Sequence, residues 1–108
     1  MAIKYPRPRP QVNGMGYATH DFAAGTTAWT LSAEEAKCRY LAVSNAGGAA
    51  NIYAPPTGGL SFILRNASGQ AITLLVYGQT GITVANAKTA EVYSNGTDYL
   101  RATADQTH

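Results

Sequence analysis

Residues 60–84 read LSFILRNASGQAITLLVYGQTGITV, and this stretch decides the fold class. It contains three short apolar runs, at 60–66, 71–77 and 82–84. Between them lie Asn66-Ala-Ser-Gly-Gln70 and Gly78-Gln-Thr-Gly81, which are turn chemistry. The runs are too short for helices and rich in Ile, Val, Thr, Tyr and Phe, as strands are. Alternation turns Phe62 and Leu64 to one face of their strand, and Ile72, Leu74 and Val76 to one face of the next. The opposite faces carry Ile63, Leu75 and Tyr77 and are therefore not cleanly polar.

The same text continues outward in both directions. Further strands are expected at 27–31 (TAWTL), 39–44 (RYLAVS), 51–54 (NIYA), 88–94 (KTAEVYS) and 97–103 (TDYLRAT), separated by Asn45-Ala-Gly-Gly48, Pro55-Pro-Thr-Gly-Gly59 and Asn95-Gly96. Strands at this spacing predict an all-β domain: a small antiparallel β-sandwich or jelly-roll-like barrel of about eight short strands. Asn95-Gly96 predicts a two-residue type I′ hairpin turn, which places Val92 opposite Tyr99. Leu41, Val43, Trp29, Leu31, Ile82 and Val84 complete the expected core. Ser32 and Glu35 are spaced for a capping box on one helical turn. An apolar position on both faces of a strand marks a face covered by another molecule, which makes Tyr40, Ile63, Leu75 and Tyr77 candidate subunit-interface residues.

Residues 1–25 differ in kind, and the domain is taken to span 26–108. Pro6, Pro8 and Pro10 alternate with Arg7 and Arg9, which favours an extended, stiff N-terminal arm. Ala23-Ala24-Gly25 reads as its flexible end. Removing residues 1–20 is therefore expected to leave the domain folded. Residues 1–20 hold Lys4, Arg7 and Arg9 and no acid, a charge of +3; residues 21–108 hold five bases and six acids, a charge of −1. The excess positive charge thus lies on the arm, and Lys4, Tyr5, Arg7 and Arg9 are candidate partner-binding residues.

Composition narrows the function classes. Charged residues are 13% of the 108, about half the usual ~25%. One cysteine, Cys38, forms no disulfide framework, and three or more solenoid repeats are not expected at this length. No catalytic constellation emerges. His20 and His108 lie in the arm and at the C-terminus, and no spacing suggests a metal site or a phosphate-binding glycine loop. No cofactor and no enzymatic activity are expected. The bases of the folded part are scattered, so direct nucleic-acid binding is not expected. Nor is a membrane span: no apolar run approaches the ~18 residues required. No secretory h-region is visible in residues 1–10, so synthesis in the cytoplasm is expected.

The order of residues in the β region carries a resemblance. Thr30-Leu-Ser-Ala-Glu-Glu-Ala36 is followed by an apolar strand, a Gly-rich turn and Pro55-Pro-Thr-Gly-Gly59. Phe62-Ile-Leu-Arg-Asn66 with Ser68-Gly69 leads to Ile72-Thr-Leu74 and Gly81-Ile-Thr-Val84. Lys88-Thr-Ala90 and Val92-Tyr-Ser-Asn-Gly-Thr-Asp-Tyr99 close the series. Over about residues 26–103 this text resembles a small β-sandwich module of tailed-bacteriophage virion proteins, which occurs in head-decoration and tail-fibre proteins. Asn95 stands where the module's ending often has Asp. The resemblance implies a non-enzymatic structural protein that self-associates, often as a trimer, and resides in the virion. A short chain with a basic arm fits a capsid decoration protein bound to the major capsid protein. The alternatives are a tail-fibre or tail-associated module, and a carbohydrate- or receptor-binding module using Trp29 and the tyrosines.

Overall fold

The computed structural model describes residues 16–107. Among them are ten strands: β1 (Tyr17–Gly25), β2 (Trp29–Thr30), β3 (Tyr40–Ala46), β4 (Ala50–Tyr53), β5 (Ser61–Ala67), β6 (Ile72–Leu75), β7 (Ile82–Val84), β8 (Lys88–Ser94), β9 (Tyr99–Arg101) and β10 (Gln106–Thr107). They form two sheets. The first has the order β1-β3-β5-β8-β10, with β9 also paired to β8; the second has the order β2-β4-β6-β7. The protein is thus a small all-β sandwich, as the alternating text predicts.

The pairing inside it differs from an antiparallel sandwich. From β1 to β6 the chain alternates between the sheets, and like strands stack in parallel: β1 on β3 on β5, and β2 on β4 on β6. Tyr17, Tyr40 and Ile63 are register partners in steps of 23 residues. Trp29 pairs with Ile52 and Ile52 with Leu74, steps of 23 and 22. These are three coils of a short β-solenoid, an arrangement the length argument excluded. It fits because each coil needs only two short strands and two corners. Antiparallel pairing is confined to the end where β7, β8, β9 and β10 finish the coils.

Stacked coils bring like positions together. Ala18, Leu41, Leu64 and Ala90 form one buried row across the first sheet. Facing them, Trp29, Ile52 and Leu74 form another across the second. Phe62, Val92 and Tyr99 fill the end nearer the hairpin, with the Phe62 and Tyr99 ring centroids 5.8 Å apart. Asn66, the one deeply buried side-chain amide among the described residues, closes a corner. Its Nδ2 donates to the carbonyls of Gln70 (2.7 Å) and Val84 (2.9 Å), and its Oδ1 accepts from the N–H (3.0 Å) and hydroxyl (2.6 Å) of Ser68.

Three local expectations change. Residues 17–25, read as part of the arm, form β1 and bury Ala18 and Phe22, so removing residues 1–20 would cut into the core. Ala23 and Ala24 have φ of 55° and 62°, which makes the bulge where β1 leaves its register. The last hairpin turns through four residues rather than two: Ser94 faces Tyr99, and Val92 faces Arg101. Only Gly96 takes a positive φ there, and the Asn95 side chain accepts from the N–H groups of Thr97 and Asp98 instead. A shift of two keeps each side chain on its face, so Tyr99 is still buried. The capping box is present. Ser32 Oγ accepts from Glu35 N–H at 3.1 Å, and Glu35 Oε1 accepts from Ser32 N–H at 2.8 Å, ahead of a 3₁₀ turn at Glu35–Lys37.

Candidate interaction surfaces

Strand parity places an aromatic band on the outer face of the first sheet. Tyr17 on β1, Tyr40 on β3, Ile63 on β5 and Glu91 on β8 are consecutive register partners and form one row. Tyr17 and Tyr40 are 63% and 47% exposed, with ring centroids 6.5 Å apart. A second row on the same face runs from Ser61 through Tyr93 to Leu100, and Tyr93 and Leu100 are exposed. Arg39 reaches over this end of the sheet to Glu91, with Nη2 and Oε2 2.6 Å apart. The result is an apolar and aromatic strip across the sheet, bounded by one ion pair. It is an unusual feature for a solvated sheet face.

A second surface lies at the same end of the sandwich but on the other sheet. β1, β3 and β5 of the first sheet begin at this end, and β2, β4 and β6 finish there. Their last residues and the loops that follow line a cleft of about 300 Å³: Leu31, Tyr53, Pro55, Pro56, Val76 and Tyr77 are its main walls. Tyr53 and Tyr77 meet edge to face, with centroids 5.1 Å apart at 85°. Tyr77 is 77% exposed. The prolines are held from behind by Tyr99, whose hydroxyl donates to the Pro55 carbonyl at 2.8 Å. Burial pushes the Tyr99 hydroxyl pKa up to about 12, so it remains a donor throughout the ordinary pH range.

Two carboxylates are bonded to the backbone in or next to the cleft wall. Asp98 accepts from the N–H groups of Val76 (3.4 Å), Thr80 (3.1 Å) and Gly81 (2.8 Å) and so pins the loop that carries Tyr77. Burial alone would raise its pKa, but these backbone donors outweigh burial and hold it below the usual carboxylate value. Glu35 accepts from Ser32 N–H and from the indole N–H of Trp29 at 3.2 Å. The Ser32 N–H, assisted by Trp29, keeps its pKa low.

The residues expected at a subunit interface are divided between these surfaces. Tyr40 and Ile63 are neighbours in the aromatic band. Tyr77 belongs to the cleft. Leu75 is 8% exposed, covered by the loop that ends at Gly81, and offers almost no surface. Tyr17, Tyr93, Leu100 and Tyr53 extend the two surfaces beyond the residues picked from sequence. Tyr93 faces the same way because it lies two residues from Glu91 on β8, and Leu100 because it pairs with Tyr93; only the register shows it. Lys4, Tyr5, Arg7 and Arg9 lie outside the described residues. Trp29 is 5% exposed and stacks against His20 at 4.8 Å and 10°, so it is no sugar platform. Among the described residues no three His, Cys, Asp or Glu side chains converge as a metal site would require.

The chain matches no protein-family model, no curated protein and no solved structure.

Proposed function

We propose that the chain is a structural protein of the tailed-bacteriophage virion: a capsid decoration protein that attaches to the assembled head as a homotrimer. The observation that carries this reading is the exposed aromatic band from Tyr17 through Tyr40 and Ile63 to Tyr93 and Leu100. A band of this kind suits a face that packs against another copy or against the major capsid protein. The resemblance of residues 26–103 to phage virion modules supplies the class of particle. In this reading several weak contacts per copy, from the band and from the basic arm, add through effective concentration on a repeating shell.

Two measurements test it together. Sedimentation equilibrium of the full chain is expected to show a trimer at micromolar concentration. Immunogold labelling of phage particles is expected to place it on the head. A monomer at that concentration that also fails to sediment with expanded heads would overturn the proposal. Labelling of the tail would move the protein to the tail-fibre class.

A further inference from the structure

We infer that the cleft between Tyr53, Pro55, Pro56 and Tyr77 is the docking site of the chain's own Pro6–Pro10 segment. The inference goes beyond the proposed function and concerns the chain free in solution, before its arm meets a shell.

The cleft has the chemistry of a proline-binding groove. Its walls are two tyrosine rings, two prolines and the aliphatic side chains of Leu31 and Val76. Extended proline-rich segments dock in aromatic-lined grooves because they present apolar rings at little conformational-entropy cost. Only one part of this sequence supplies such a segment: Pro6-Arg7-Pro8-Arg9-Pro10.

The place where the described chain begins agrees. The carbonyl of Gly16 accepts from the N–H groups of Arg39 and Tyr40, each at 3.1 Å. Gly16 therefore lies at one end of the segment 32–38, whose other end joins Leu31 in the cleft wall. Five residues, Gln11 to Met15, separate Gly16 from Pro10. At roughly 3 Å per residue they reach about 15 Å when extended. A tether this short gives the segment an effective concentration on the order of millimolar, so even a weak site would be occupied.

Charge favours the same occupant. The arm carries +3 and the rest of the chain −1. Asp98 is bonded to the backbone of Val76, a cleft residue, and Glu35 to the backbone of Ser32, which follows Leu31 in the chain. Arg7 and Arg9 alternate with the prolines and would bring positive charge toward these two carboxylates.

The test uses the full chain carrying Ala2→Cys and Cys38→Ser, with a nitroxide on the new thiol and uniform ¹⁵N labelling. Amide signals of Leu31, Tyr53, Val76 and Tyr77 are expected to broaden, while Gly48 and Asn86 at the opposite end stay sharp. Adding Pro6→Ala, Pro8→Ala and Pro10→Ala is expected to reduce the broadening to the level at Asn86, and so is Tyr77→Ala. Tyr77 is exposed, and unchanged dispersion of the remaining signals verifies that this variant is folded. Absence of broadening at the cleft would overturn the proposal. So would broadening that survives the three proline substitutions, because it would then report only the tether. A mixture of ¹⁵N chain without nitroxide and unlabelled chain with nitroxide is expected to show none. Broadening in the mixture would assign the cleft to the arm of a second copy and overturn docking within one chain.

Discussion

At the scale of single residues, the buried polar groups are the sharpest determinants. Asn66 makes four hydrogen bonds in a site it fills completely, and no apolar residue satisfies the carbonyls of Gln70 and Val84. Asn66→Ala is expected to cost about 2–4 kcal/mol, measured by urea unfolding, because it strands buried acceptors as well as opening a void. Glu35 offers an optical test. It holds the indole N–H of Trp29, the single tryptophan. Its folded pKa lies below the ordinary value of 4.5, chiefly through the Ser32 N–H. A depressed folded pKa stabilises the fold above the unfolded pKa, and that contribution is lost as pH falls through the folded one. Trp29 fluorescence is therefore expected to change with a midpoint below pH 4.5, and Glu35→Gln is expected to abolish the transition. Persistence of the transition in that variant would assign it to another group, such as Asp98 or Asp105, whose pKa values are also lowered.

Among the elements, the loop from Val76 to Gly81 shows how sequence grammar and tertiary contact divide the work. Gly81 has φ of 70°, and a Cβ there would collide with the Leu74 carbonyl and the Leu75 side chain. Gly81→Ala is expected to destabilise by about 2 kcal/mol or more, combining left-handed strain with the collision. Asp98→Ala frees the same loop from the other side, with an expected loss of about 1–3 kcal/mol and a more mobile Tyr77 in NMR relaxation. Gly81 was legible as a turn residue. The role of Asp98 was not, because it acts across the fold on a loop 17 residues away in sequence. The last hairpin makes the same point. Asn95-Gly96 correctly marks a turn, but the Asn95 side chain supports four loop residues by capping Thr97 and Asp98, and the register follows that choice. The eight strands found from alternation and turn residues are all present. The two that were missed, β1 and β10, are those whose own text is rich in Ala, Gly, Asp, Gln and Thr.

For the molecule as a whole, the parallel coils decide which parts of the chain are dispensable. The repeat of 22–23 residues escaped the sequence because stacking asks only that apolar positions recur, not that residues do: Ala18 stacks on Leu41 and Leu64, and Trp29 on Ile52 and Leu74. The aromatic band was half legible for the same reason, since Tyr40 and Ile63 show from alternation while Tyr17 joins them only through the parallel ladder. In a solenoid the terminal coil covers the next one. Here β1 covers β3 with nine residues, burying Phe22 and placing His20 on Trp29. A chain lacking residues 1–15 is accordingly expected to melt within a few degrees of the full chain. A chain lacking residues 1–25 loses Phe22, worth about 3–5 kcal/mol by itself, together with the whole β1–β3 ladder. In a domain whose total stability is about 5–15 kcal/mol, that loss is expected to abolish cooperative unfolding in circular dichroism. If the longer truncation melted like the shorter one, β1 would be an accessory strand and the solenoid would begin at β3.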